Sequence, residues 1–325
     1  MSASAAPVCL IVNPFAGGGK AGRLAPQAVE TLRGHGLSVR RADTRDLRDA
    51  RELAVAAAGA GETVVVLSGD GAIGAVADAL RSVPGAVLGV LPGGRGNDLA
   101  RSLGISQELT AACATIADGV ARAMDLGEVE SRDGARRGAF VGIASAGFDS
   151  DANRIANEAP PWLGGLVYAY GALRALLSWR PAGIEIELDP PGERRSFLAY
   201  TVGAANSKTY GGGMRAAPEA MLDDGLLEIL VLENVSKLAF LTRILPRVFS
   251  GRHVREPGVH CFRAREVAIA ADRPFTMYAD GDPIGELPLR VRALPGALAV
   301  LVPAQTSADS AFTPAAASAV PFEAR

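Results

Sequence analysis

Two stretches decide the reading of this chain: Thr63-Val-Val-Val-Leu-Ser-Gly-Asp-Gly-Ala72 and Ala86-Val-Leu-Gly-Val-Leu-Pro-Gly-Gly-Arg-Gly-Asn-Asp98. Residues 63–67 and 86–91 are short, apolar, rich in β-branched side chains and bounded by glycine. That pattern predicts neighbouring strands of a parallel sheet buried on both faces. Each glycine turn then opens a helical pattern. A strand, a glycine turn and a helix in that order bring backbone N–H groups close to a phosphate. Two such turns predict one nucleotide site built from adjacent strand ends.

Residues 8–12 and 37–41 read as further strands, and 46–58 and 106–118 as helices. A loop over 13–20 leads into a helix that stops at Gly34-His35-Gly36. Ser106 is placed to cap the helix that ends at Asp118, with Glu108 in its first turn. Alternation of β and α at this spacing predicts an open parallel α/β sheet over residues 1–127. After Asp125 strands follow one another, at 140–144, 184–188, 197–204, 226–232, 266–270, 275–279 and 287–302, the last in two pieces. This predicts a mainly antiparallel β-sandwich over 128–305. Two helical patterns interrupt it, 161–179 and 236–249, and Pro246 should kink or shorten the second. In that second helix Leu241, Ile244, Leu245 and Val248 form the expected apolar face. Residues 306–325, rich in Ala, Ser, Pro and Thr, read as a tail without fixed structure.

Composition narrows the class. Hydrophobic residues make up 49% and charged residues 21% of 325, which fits a globular chain with room for two domains. A formal net charge of −2 gives no electrostatic footprint for nucleic acid. Cys9, Cys113 and Cys261 are scattered and odd in number, so neither a disulfide framework nor a zinc site is expected and a reducing, cytoplasmic setting fits. Neither a secretory leader nor a run of about 18 uncharged apolar residues is visible, so any membrane contact is expected to be peripheral.

Asp70, between two glycines, puts a carboxylate where a nucleotide's magnesium would sit, although Gly-Asp-Gly is also an ordinary turn. In Gly93-Gly94-Arg95-Gly96-Asn97-Asp98 the glycines permit close backbone approach. Asn97 and Asp98 there are equally suited to capping the next helix or to touching a ligand. The loop Asn13-Pro14-Phe15-Ala16-Gly17-Gly18-Gly19-Lys20 also joins a strand to a helix, but lacks the ending of a Walker A loop. Asp223-Asp224-Gly225 and Asp280-Gly281-Asp282 both read as hairpin turns when taken alone.

Taken together these motifs resemble the diacylglycerol kinase catalytic superfamily, in particular the bacterial soluble lipid kinases related to sphingosine and ceramide kinases. Asn13–Gly17, Ser68–Ala72, Leu91–Asp98, Tyr210-Gly-Gly-Gly-Met214, Ala217-Pro218 and Asp223-Asp224-Gly225-Leu226 carry the likeness along nearly the whole chain. The resemblance implies an ATP-dependent lipid kinase with ATP bound between its two domains. Asn13, Pro14, Phe15, Ala16 and Gly17, with Thr44, would line the nucleotide beside Ser68, Gly69, Asp70, Gly71, Ala72, Ile73 and Gly74. Arg95, Gly96, Asn97 and Asp98 would complete that site. Asp224, with the carbonyls of Met221 and Leu226, matches a structural site for a hard cation, Mg2+ or calcium. Asp280-Gly281-Asp282 is similar to the family's Asp-Gly-Glu. Asp282 is expected to accept the proton of the lipid hydroxyl, with Asp280 as its partner.

The chain departs from that pattern at Ser68, Ala72, Ala75, Arg95 and Asp282. Two rival readings therefore stand beside it: phosphorylation of a non-lipid hydroxyl, as in NAD kinases, and a catalytically weak lipid- or nucleotide-binding regulator. Lys237, Arg243, Arg247, Arg252 and His253 surround the second interrupting helix; the apolar faces of the two helices are expected to pack into the sandwich core, or part of one to form a lip where the membrane lipid enters.

Overall fold

The computed structural model describes residues 7–131, 134, 137–148, 155, 171, 174–176, 179–189, 192–305, 307 and 310–314. Most of the expected helix over 161–179 lies outside the described residues. The chain divides into two compact units. The first comprises Met1–Leu126, Met221–Asp224 and Pro295–Arg325; the second comprises Gly127–Ala220 and Gly225–Leu294.

In the first unit β1 (Pro7–Val12), β2 (Ser38–Asp43), β3 (Thr63–Ser68) and β4 (Val87–Pro92) form a parallel sheet in the order β2-β1-β3-β4. The far end of β15 (Leu289–Val302) joins it, with Ala299 and Val300 parallel to Val87 and Leu88 of β4. Cys9, Leu10, Val64, Val65, Leu67, Leu88 and Val90 are fully buried, as predicted for strands covered on both faces. Helices α1 (Ala16–Gly34), α2 (Leu47–Gly59), α3 (Asp70–Leu80), α4 (Asp98–Ser102) and α5 (Leu109–Asp118) follow the strands. Asp46 caps α2 by accepting from the Asp49 N–H.

At α5 the cap is Glu108 rather than Ser106. Its carboxylate accepts from the N–H groups of Thr110 (2.9 Å) and Ala111 (2.7 Å), which holds it below the usual carboxylate range. The hydroxyl of Ser106 instead accepts from the Glu108 N–H at 3.1 Å. A carboxylate spans the first turn better than a serine hydroxyl and meets the positive helix end with a full charge.

The second unit is antiparallel. Its long strand β9 (Glu193–Ala205) pairs with β8 (Ala182–Asp189) over its first half. Over its second half it lies between β7 (Ile143–Gly147) and β10 (Leu227–Glu233). β12 (Glu266–Ala271) continues from β8 and pairs with the near end of β15. β11 (Val259–Ala264) flanks β10, while β5 (Val120–Ser131) pairs with β6 (Arg137–Phe140). β13 (Thr276–Ala279) and β14 (Asp282–Glu286) make a hairpin that joins β7. Alternate residues such as Ile184, Ile186 and Leu188 point into one core with Val202, Ile229, Val231, Val267 and Ile269.

The expected helix over 236–249 is interrupted. It consists of Lys237–Ala239, a π-helical turn Phe240–Ile244, and Leu245–Val248, with Pro246 in the first turn of the last piece. Proline cannot donate the bond a continuous helix needs there, and a π turn absorbs that mismatch. Its inward side chains are Phe240 and Ile244, whereas Leu241, expected on the inner face, is 39% exposed. After residue 305, read from composition as a tail without fixed structure, Ser310, Ala311 and Phe312 are buried.

Candidate functional site

The order β2-β1-β3-β4 reverses direction between β1 and β3, and the loops leaving β1, β3 and β4 gather at that switch point. Open α/β sheets bind ligands outside such strand ends. The three loops touch through glycines. A Cβ on Gly94 would lie 2.5 Å from the Gly69 Cα, and one on Gly17 would lie 2.5 Å from the Gly93 carbonyl. Gly17, Gly18 and Gly19 all have positive φ, so α1 begins in earnest only beyond them. Asn13 accepts from the Phe15 N–H at 3.1 Å, which fixes this loop and leaves the Phe15 ring 78% exposed. Thr44 sits beside it, its N–H donating to the Val12 carbonyl at 2.8 Å.

α3 starts at Asp70, and its first intrahelical bond runs from the Ile73 N–H to the Gly69 carbonyl. The N–H groups of Asp70, Gly71 and Ala72 therefore precede the helical ladder and face the strand ends, a cradle for an anion. Ile73 and Gly74 are packed inside α3, so their share in the site is through backbone position rather than side-chain contact. The Ser68 hydroxyl, 1% exposed at the end of β3, has no hydrogen-bond partner within the protein. A buried hydroxyl without a partner is costly and suits a site completed by a ligand.

Of the two roles open to Asn97, its side chain does not take that of capping α4. With φ 52 it occupies the left-handed region, and its side-chain oxygen accepts from the Gly94 N–H at 2.7 Å while its amide donates to Gln107. The cap is supplied from a distance: Asp70 accepts from the Leu99 N–H at 3.0 Å. Asp70 thus ties the β3 turn to the β4 turn, and its carboxylate retains acceptor capacity for a cation or water. Arg95 is exposed, and within its loop the Gly94 N–H is held by Asn97.

In the second unit Asp280 and Gly281, with φ 51 and 95, form the two-residue turn between β13 and β14, and Ala279 faces Asp282 across it. Two successive positive φ values mark a type I′ hairpin. Its carboxylate is gripped by the N–H groups of Val141 and Gly142, each at 2.8 Å. Residues 140–144, expected as one strand, are split there into β6 and β7, which frees those two N–H groups for Asp280. Asn206 holds the same break from its other side, its amide donating to the Val141 carbonyl at 3.1 Å. Asp282 is exposed at the head of β14. Tyr210 and Met214 bridge each other around Gly211, Gly212 and Gly213, all of positive φ.

The expected cation donors Met221, Asp224 and Leu226 lie on one bend. Neighbouring Asp223 is engaged by Arg122 (2.6 Å) and by the N–H and hydroxyl of Thr313. One carboxylate and two carbonyls are hard oxygen donors and fit Mg2+ or calcium with water completing the shell. Among the described residues no group of three or more His, Cys, Asp or Glu side chains is placed to hold a metal ion.

The network around Asp223 was not legible in the sequence. Arg122 also stacks over the Phe312 ring at 4.4 Å and donates to the Thr313 carbonyl. The Ala311 N–H donates to Ser102 at the end of α4, and the Leu222 N–H donates to the Ala311 carbonyl. These contacts join positions far apart in the chain, and no local pattern announces them.

Residues 7–129 match the diacylglycerol kinase catalytic domain, and residues 142–302 match the YegS C-terminal NAD kinase beta sandwich-like domain. A protein of Mycobacterium tuberculosis named "Diacylglycerol kinase" is 35% identical over 301 residues, 91% of this chain and 95% of that one. One of Yersinia enterocolitica named "Probable lipid kinase YegS-like" is 32% identical over 286 residues, 85% of this chain and 91% of its own. A crystal structure of a diacylglycerol kinase from Bacillus anthracis superposes with a TM-score of 0.69 at 19% identity, covering 91% of this chain and 96% of that one. It shares the fold.

Proposed function

The chain belongs to the diacylglycerol kinase family and is an ATP-dependent lipid kinase, and we propose that it phosphorylates the hydroxyl of a diacylglycerol, ceramide or sphingoid-type membrane lipid. The observation that carries the catalytic assignment is the Asp280–Asp282 hairpin. Asp280 is committed to two backbone N–H groups and so acts as the peg that fixes the turn. Asp282, exposed at the head of β14 and matching the carboxylate of the family's Asp-Gly-Glu, is assigned as the proton acceptor.

The triphosphate lies on the N–H groups at the start of α3 and against the glycine contacts of the loops after β1 and β4. Phe15 is placed to cover the base. The Ser68 hydroxyl gains the hydrogen-bond partner that the protein does not supply. Asp282 accepts the hydroxyl proton as the lipid oxygen bonds to the γ-phosphorus and the bond to the β–γ bridging oxygen breaks, releasing ADP. Asp70 and the Met221–Asp224–Leu226 bend are the candidate holders of Mg2+, which supplies charge neutralisation for the phosphates when bound. The lipid is reached by transient contact with a membrane surface. Among the described residues no helix is long and apolar enough to cross a membrane.

The test is transfer from radiolabelled ATP to diacylglycerol, ceramide and sphingosine in mixed micelles, with NAD as a soluble acceptor. Label in a lipid and none in NAD is expected. Label in NAD alone, or ATP binding without label in any acceptor, would overturn the proposal.

A further inference from the structure

Leu238, Leu241 and Phe249 account for half of the exposed large hydrophobic side chains among the described residues, with exposures of 72%, 39% and 57%. They fall within a dozen positions of one another, at spacings of three and eight residues, while half-buried Leu245 packs against the cluster beneath them. That spacing is one face of a helix. The opposite face is anchored. Phe240 and Ile244 are buried in a cluster with Phe148, Trp179 and Tyr200, and the Phe240 ring lies 5.1 Å from that of Phe148 and is stacked on that of Tyr200. The outward residues are thus held out by packing beneath them, not left out by fraying.

Charge gathers at the same place. Residues 237–256 carry Lys237, Arg243, Arg247, Arg252 and Arg255 against a single carboxylate, Glu256, which is paired with Arg247. The chain as a whole has a formal net charge of −2, so this cationic segment stands out from a slightly acidic background. Exposed apolar side chains flanked by cations match the two layers of an anionic bilayer surface, acyl chains below and phosphates at the rim.

We propose that residues 237–256 form the face by which this protein docks on anionic lipid bilayers, with Leu238, Leu241 and Phe249 inserted and Arg243 and Arg252 against lipid phosphates. This rests on the lipid-kinase reading for its purpose but not for its geometry. The interrupted helix has a part in it: the π turn before Pro246 rotates Phe240 and Ile244 inward while Leu241 stays out.

The full-length protein is floated with vesicles rich in phosphatidylglycerol and, separately, with pure phosphatidylcholine vesicles. Binding to the first, weakened by salt, and little binding to the second are expected. At about 1 kcal/mol per cation near a charged surface, the double change Arg243→Gln, Arg252→Gln should weaken partitioning about 25-fold. The triple change Leu238→Ser, Leu241→Ser, Phe249→Ser should abolish it. Turnover of a short-chain diacylglycerol dissolved below its micelle concentration is measured for each protein. It should be unchanged in the variants, so that loss of docking and failure of the kinase reading are told apart. The proposal is overturned if the parent protein ignores anionic vesicles, or if both variants bind them as the parent does. It is equally overturned if the apolar variant turns a dimer into a monomer in solution, which would assign the face to a second copy of the chain.

Discussion

Asp280 and Asp282 sit two positions apart and differ in everything but chemistry. Asp280 tolerates a positive φ of 51 because its carboxylate is held by Val141 and Gly142, and short polar side chains accept the left-handed region more readily than others. Replacing it with Ala should cost about 2 kcal/mol of stability in denaturant unfolding, since two N–H groups lose a charged acceptor. His253 offers a second test at this scale. It is 7% exposed; its Nε2 faces the Ala216 carbonyl at 3.1 Å and therefore carries the proton, while Nδ1 is buried without a partner. Burial pushes its pKa below the ordinary histidine value, with the Ala216 bond opposing this more weakly. The unfolded chain then binds a proton that the folded chain refuses. Stability should fall as pH drops through the unfolded value of about 6.5, and His253→Gln should flatten that slope in pH-dependent melts. The dipeptide signals marked Asp280 and Asp282 from sequence, but not that Asp280 is pinned by two backbone N–H groups. That depends on Val141 and Gly142, some 139 positions away in the chain.

Among elements, the three glycine loops at the switch point depend on contacts that admit no side chain. Gly94→Ala would drive its Cβ to 2.5 Å from the Gly69 backbone, separating the turns after β3 and β4. It should raise KM for ATP at least tenfold while the far-ultraviolet circular dichroism stays that of the parent. The strands β1, β3 and β4 were legible because each is a short β-branched run, closed by Asn13-Pro14 after β1 and by glycine after β3 and β4, a local signal. β5 and β11 were not expected as strands. β5 mixes charged and small residues, and its buried Asp125 and Glu128 are met from β15 by Gly296 and Arg292. The cap of α5 was placed on Ser106 because serine is the commoner cap, yet Glu108 makes both bonds. The break between β6 and β7 had no local cause, since it is imposed by Asp280.

At the scale of the molecule, neither unit is a single run of chain. The first is completed by Met221–Asp224 and by the last part of β15 with the segment beyond it. Phe312 is 2% exposed under Arg122, so Phe312→Ala should destabilise the first unit by about 3 kcal/mol, read as a lowered melting temperature that nucleotide only partly restores. Composition concealed this, because the segment is rich in Ala, Ser and Thr like a solvated tail, and among its described residues Phe312 is the aromatic that it buries. The likeness to lipid kinases was legible from the glycine and aspartate motifs, whereas the anchoring of Asp223 by Arg122 and Thr313 needed the fold.

Asp282 carries the proposed chemistry. Phosphoryl transfer from ATP to a micellar diacylglycerol should be measured for the parent protein and for Asp282→Asn, with ATP binding followed in both. An amide keeps the size of the side chain and removes its capacity to accept the proton, so equal nucleotide binding with a rate lower by about 100-fold or more is predicted. An Asp282→Asn protein that labels lipid at the parent rate would show that Asp282 is not the proton acceptor.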